Sequence, residues 1–191
     1  MKGVAAFVLL AAAGCGYHLA GSGAALPDTA RAISIQPFRN HTREHGLEVR
    51  LQRALEDEFR RHGRLRVVAD PLGDLVLNGE IKSITSSPVA FSGTDEAVQY
   101  QGVLQVGVRL VERESGHVLY ETKLLQETLD FGAVSGVVIQ SSPRFQRGTI
   151  NASDLANMNN VQLGESRRRD ALRSLVDMTA RDVYLQAVEG F

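Results

Sequence analysis

Between Val98 and Leu110 the chain alternates with a period of two, and this stretch limits the fold more than any other. Val98, Tyr100, Leu104, Val106, Val108 and Leu110 share one face; Gln99, Gln101, Gln105 and Arg109 share the other. Successive side chains of a strand point to opposite sides, so the pattern specifies a long strand with one buried and one wet face. Glu114-Ser115-Gly116-His117 forms a turn, and Val118, Tyr120, Thr122 and Leu124 return antiparallel with their apolar set on the same side. One strand earlier, Leu75, Leu77 and Ile81 oppose Asn78, Glu80 and Lys82. A sheet with one apolar face needs a cover on that face alone.

Two helices supply the cover. Leu47, Leu51, Ala54, Leu55, Glu58 and Phe59 recur at helical spacing, with Arg50, Arg53, Glu56, Asp57 and Arg60 outward and Gly63 as the C-cap. A second helix is expected from about Glu165 to Val188, with Leu172, Leu175, Val176, Thr179, Val183 and Ala187 on its buried stripe. Before the first helix, 31–36 alternates and reads as a strand stopped by Pro37, and 40–46 is a polar loop. Leu65 to Ala69 is a short strand ending before Pro71, Ser86 to Glu96 a loop, and 132–164 a long Gly-, Ser- and Asn-rich excursion. The expected fold is an α/β (α+β) two-layer sandwich, with two helices packed on one face of a four- to five-stranded mixed sheet.

The N-terminal stretch has a different character. Lys2 precedes an uncharged run from Val4 to Ala13, too short to span a bilayer, which reads as the core of a secretory signal. Ala12, Ala13 and Gly14 lead into Cys15, the only cysteine, so no internal disulfide can form. This junction resembles the lipobox of bacterial lipoproteins, although Ala12 stands where the family usually has Leu. The resemblance implies cleavage before Cys15 and a covalent diacylglycerol and acyl chain on its sulfur and amine, with no other cofactor. Each buried methylene adds about 0.8 kcal/mol to membrane attachment. Gly16 is compatible with export to the outer membrane in that family. The chain then divides into a signal peptide (1–14), a lipidated N-terminus and tether (15–30) and a single globular domain (31–191). The net charge of −1 argues against nucleic acid as a partner.

Candidate sites are few. His41-Thr42-Arg43-Glu44-His45 fits H-x-x-E-H, a zinc-protease pattern, but it falls in a loop where that chemistry needs a helix, and it reads better as solvated. Arg167-Arg168-Arg169 would open the last helix, against its dipole, and reads as an exposed run ahead of a contact with an anionic partner. Arg144 and Arg147 stand almost alone as charges in the excursion, beside Val137, Val138, Ile139 and Phe145. Arginine grips phosphate bidentately, so this pair is the candidate for a ligand both anionic and fatty.

Cys15-Gly16-Tyr17-His18-Leu19, the stretch from Ile33 to Thr42, the helix Leu47–Arg61, Gly63 to Val68, Asp74 to Gly79 and the hairpin Val98–Glu127 together resemble the lipopolysaccharide-assembly lipoprotein family, LptE. The resemblance implies a non-enzymatic protein, lipid-anchored on the periplasmic side of the outer membrane. It would plug a β-barrel translocon and assist the assembly of lipopolysaccharide at the surface. Its partners would then be the barrel and lipopolysaccharide, with Arg144 and Arg147 as candidate lipopolysaccharide-binding residues. Relatives can carry a cation near Ala90-Phe91-Ser92-Gly93, and here Ser92 stands in that place. Ile33 to Thr42 also resembles lipoproteins that reach across the periplasm to activate peptidoglycan synthases, but those carry a longer tether.

Overall fold

A computed structural model describes residues 26–189 except 94, 96 and 133–151, and describes 152–163 as backbone alone. Among the described residues six strands and two long helices follow in the order β1 (Ala32–Ile35), β2 (Arg39–Asn40), α1 (Leu47–His62), β3 (Arg66–Val67), β4 (Leu75–Phe91), β5 (Ala97–Glu112), β6 (Val118–Gly132) and α2 (Ala152–Tyr184). The last five residues described, Leu185–Glu189, widen into a π-turn. The sheet order is β3-β1-β4-β5-β6, with β2 alongside β4. The first four strands pair in parallel and β4, β5 and β6 antiparallel, so the sheet is mixed as expected. The strand beyond the expected five is β2, two residues long and too short for periodicity to reveal, while β3 falls inside the short strand expected from Leu65 to Ala69.

α1 is the crossover that joins the parallel neighbours β1 and β3. Its apolar stripe of Leu47, Leu51, Leu55 and Phe59 is fully buried, and Gly63, at φ 66°, ends it with an N–H donated to Phe59 O. Glu58 sits on the same stripe and is buried, with its carboxylate held by Arg61 at 2.7 Å and His62 at 3.1 Å from the next turn. α2 covers the rest of that sheet face through Leu172, Leu175, Val176, Thr179 and Val183, continued by Ala187 of the π-turn, all buried as expected. Tyr184 joins the helices, edge-on to Phe59 at 5.0 Å and stacked on His62 at 4.0 Å.

β1 departs from its alternating pattern: all four residues are buried, Ser34 included. Val67 and Leu75 both pair with Ile33, from opposite sides, so the connection 68–74 must cross β1 on the face away from the helices. Gly73 lies directly against the Ser34 amide there. Arg113 fastens this strap by donating to Gly73 O at 2.7 Å and Ser34 Oγ at 2.8 Å while pairing with Asp70. Asp74 accepts the Arg31 and Ala32 amides at 2.8 and 2.9 Å, which holds its carboxyl below the usual range.

The long strands break register at one level. Lys82 is an extra residue in β4, between the pairs Ile81↔Val106 and Ser83↔Gln105. Lys123 and Leu124 of β6 together oppose Gly107 of β5. Such bulges bend strands and reverse the inside–outside phase beyond them. Leu124, expected on the apolar side, is therefore 55% exposed on the polar face, and Leu125 is buried in its place. Two further expectations are corrected. The stretch 86–91 belongs to β4, which runs to Phe91, because β5 continues to pair with it past Pro88. The excursion 132–164 is helical from Ala152, so α2 begins thirteen residues before Glu165. That stretch has no apolar periodicity to mark it.

At the seam between β6 and α2, Tyr120 donates to Gln186 Oε1 at 2.7 Å, and Glu127 meets Asp182. Burial, reinforced by the hydrogen bond and charge of Asp182, raises the Glu127 carboxyl to about 7. The folded protein therefore holds a proton here that the unfolded chain releases near 4.5. Stability from this group is complete below pH 4.5 and is lost as pH rises through about 7. Glu127→Gln is expected to melt above the wild type at pH 8 and to flatten the dependence between pH 4.5 and 7. Thermal melts across that range check it.

Candidate functional site

The sheet face away from the helices is open. At the β1 end the 68–74 strap covers it, and beyond the strap lies a trough of about 650 Å³. Its floor and walls come from Gln36, Asn78, Glu80 and Lys82, from Gly107 and Arg109 of β5, and from Glu121 and Lys123 of β6, with Arg39 of β2 at the side. These side chains converge because they occupy alternate positions on paired strands, all turned from the core. Glu80 is contacted by His41 at 3.3 Å and by Lys82 at 3.5 Å. Past the bulges the same face becomes a ladder of amides and a hydroxyl that ends on the Asp130 carboxylate. Ser83 donates to Gln105 at 2.8 Å, Gln105 donates to Gln126 at 2.8 Å, and Gln101 donates to Asp130 at 3.1 Å. Further out, β4 and β5 run to a tip where Val89 and Phe91 are exposed.

A smaller recess of about 50 Å³ lies on the helix side, between Gly102, Phe131 and Ile84 of the sheet and Ala171, Leu172 and Leu175 of α2. Arg168 stands at its mouth.

Not all the residues singled out in the sequence fall within the described chain. Cys15, Arg144 and Arg147 lie outside the described residues. The pentad at 41–45 is dispersed in its partners: His41 meets Glu80, and Glu44 accepts from Arg168 at 2.7 Å. Among the described residues no three His, Cys, Asp or Glu side chains gather as metal ligands. The arginine run is a set of internal ties. Arg167 reaches Gly132 O at 3.4 Å, Arg168 bridges Glu44 and Glu165, and Arg169 reaches Glu165 at 3.2 Å. With α2 starting at Ala152 the run lies well inside the helix, so the objection from the dipole of a first turn disappears. Alternation had placed Lys82 and Arg109 on the polar face, but the trough also needs Arg39 and Lys123, which only strand pairing brings alongside.

No helix among the described residues is long and apolar enough to cross a membrane. The family described as LptE, lipopolysaccharide-assembly, matches the chain over residues 30–187. No curated protein matches it. Similar solved structures include a PelC dodecamer from Paraburkholderia phytofirmans, 15% identical, covering 88% of this chain and 95% of its own, with a TM-score of 0.49. An uncharacterized lipoprotein B from Nitrosomonas europaea is 16% identical over 92% of this chain and 95% of its own, at 0.47. A minor lipoprotein from Acinetobacter baumannii is 15% identical over 84% and 92%, at 0.43.

Proposed function

Because the chain belongs to the lipopolysaccharide-assembly family LptE, we propose that it is anchored to the outer membrane through lipid on Cys15, and that its domain occupies the interior of a β-barrel translocon. Membership makes it a non-enzymatic component of lipopolysaccharide assembly. The family match over residues 30–187, nearly the whole described domain, carries the reading. The surface chemistry supports the barrel partner. A barrel lumen is polar, and the open sheet face offers a matching polar surface of charges, amides and hydroxyls. Tether length supports it too. Leu26 is packed into the core, and the chain from Cys15 to Leu26 reaches at most about 40 Å when fully extended. The domain is then held near the membrane that carries its anchor, which disfavours a role across the periplasm.

Tagged protein recovered from detergent-solubilised outer membranes is expected to bring a large β-barrel protein with it in near-stoichiometric amount. Cys15→Ala should move the protein into the soluble periplasmic fraction. Recovery of a peptidoglycan synthase and no barrel would sink the reading.

A further inference from the structure

Part of the sheet border is bare and unprotected. β1 pairs with β4 only as far as Leu77, and β2 only as far as Ile81. Beyond the Lys82 bulge, Ser83 to Phe91 pair with β5 alone among the described residues. These nine residues carry no charge, and Thr85 to Val89 are all exposed. Sheets protect such borders with charges, bulges, proline or a covering segment. The opposite border has that protection: β6 carries Glu121, Lys123, Glu127 and Asp130 and is broken by its bulge. On β4 the first protecting feature is Pro88, so Ser83 to Ser87 form a flat, uncharged edge. An edge of that kind is what strand addition uses.

The ladder identifies which backbone groups face outward. Pro88 has no N–H, yet it stands opposite Tyr100 of β5, so its position is one that turns away from β5. Register is unbroken from Ser83 to Pro88, and such positions alternate, so Ile84 and Ser86 turn outward too. Their N–H and C=O groups line the open edge. Room for a strand lies beside it. A cleft of about 510 Å³ runs where β2 would continue, between His41 to Glu44 and Lys82 to Ile84, with Arg168 at its side. Ile84 and Arg168 also border the apolar recess against Ala171, Leu172 and Leu175, which gives one side chain of an added strand a buried place. The charge of the cleft selects that strand. Glu44 is taken by Arg168 and Lys82 by Glu80, which leaves Arg43 exposed and without an ion pair among the described residues. Resting on the reading that the domain occupies a barrel, we propose that the Ser83–Ser87 edge of β4 receives an extended segment of the barrel protein as an added strand, acidic where it passes Arg43. The strands of a closed barrel have no free edge, so this segment comes from a loop folded into the lumen.

Tagged, lipidated full-length variants are compared for barrel recovery from detergent-solubilised outer membranes. Ser86→Pro deletes one outward N–H and leaves the bonds to β5 in place. It is expected to lower recovery about tenfold, because a partner carbonyl is left buried and unpaired. Ser86→Ala keeps the N–H and should recover the barrel as the wild type does. Ser86→Lys charges the edge with its backbone intact; it guards against misfolding by proline and should act in the same direction. Arg43→Glu should lower recovery several-fold. A photo-crosslinker at Thr85 should join the chain to a loop of the barrel protein. Undiminished recovery by both Ser86→Pro and Ser86→Lys overturns the proposal. Equal loss with Ser86→Ala also overturns it, by making the contact one of side chains. So does a crosslink to a second copy, or to residues 133–151 of the same chain, either of which is then the occupant. Absence of any barrel with the wild type defeats the barrel reading itself, whereas a barrel recovered with every variant defeats strand addition alone.

Discussion

Phe59→Ala should destabilise the domain by about 3–5 kcal/mol, a large part of the 5–15 kcal/mol that holds a typical domain folded. Phe59 is fully buried at the end of the α1 stripe, where its ring meets Tyr184 of α2 edge-on at 5.0 Å. Truncation removes the buried ring and leaves a cavity between two helices that cannot close without sliding on the sheet. The midpoint of urea unfolding measures the loss. Phe59→Leu refills most of the space and should recover the greater part of it. Combining Phe59→Leu with Tyr184→Leu isolates the ring pair, with a coupling of about 0.5–1.5 kcal/mol. A Phe59→Ala midpoint within 1 kcal/mol of wild type would mean that the two helices are not locked together here.

Gly79→Ala adds one methyl group and should cost about 3 kcal/mol, at the upper end for an overpacked core. The position faces the helices between Leu77 and Ile81, where pattern alone asks for an apolar residue. The space is already taken. A Cβ would stand 2.5 Å from Cε1 of Phe38, with the carbonyl oxygen of Gly107 nearer still. The ring can be trimmed, but the carbonyl belongs to the β5 backbone and cannot move without disturbing the ladder. Phe38→Leu is therefore expected to rescue Gly79→Ala only in part. Full rescue would show that the ring alone sets the limit, and thermal melts of the single and double variants decide between these outcomes.

Local periodicity revealed the layers because it records burial on one face of one element. It recovered the α1 stripe, including Glu58, whose charge is matched within its own helix by Arg61 and His62. It placed Asn78, Lys82 and Arg109 on the open face. It misjudged Leu124 because an added residue in β6 reverses the phase, and Gly107 in the interior of a strand was the only local mark of that break. It read β1 as half-exposed because the 68–74 strap arrives from another part of the chain. It missed the first thirteen residues of α2, where the sequence has no apolar stripe. The trough was legible as polarity but not as a site: its cations come from β2, β4, β5 and β6, and only the register sets them side by side. Cys15, Arg144 and Arg147 remain expectations from the sequence, outside the described residues.

The two borders of the sheet are unequal. On one side β3 offers two residues and the end of β4 from Ser83 to Phe91 pairs only with β5, and on the other β6 offers fifteen, unpaired on that side among the described residues. The longest border open to strand addition therefore runs along β6. There the Lys123–Leu124 bulge divides the border into two short segments with opposite phase, so a strand docked in register on one is out of register on the other. The residue pair that shapes the rim of the trough thus also acts as a gatekeeper. Deleting Leu124 would straighten the border and leave one continuous template for fibrous self-assembly.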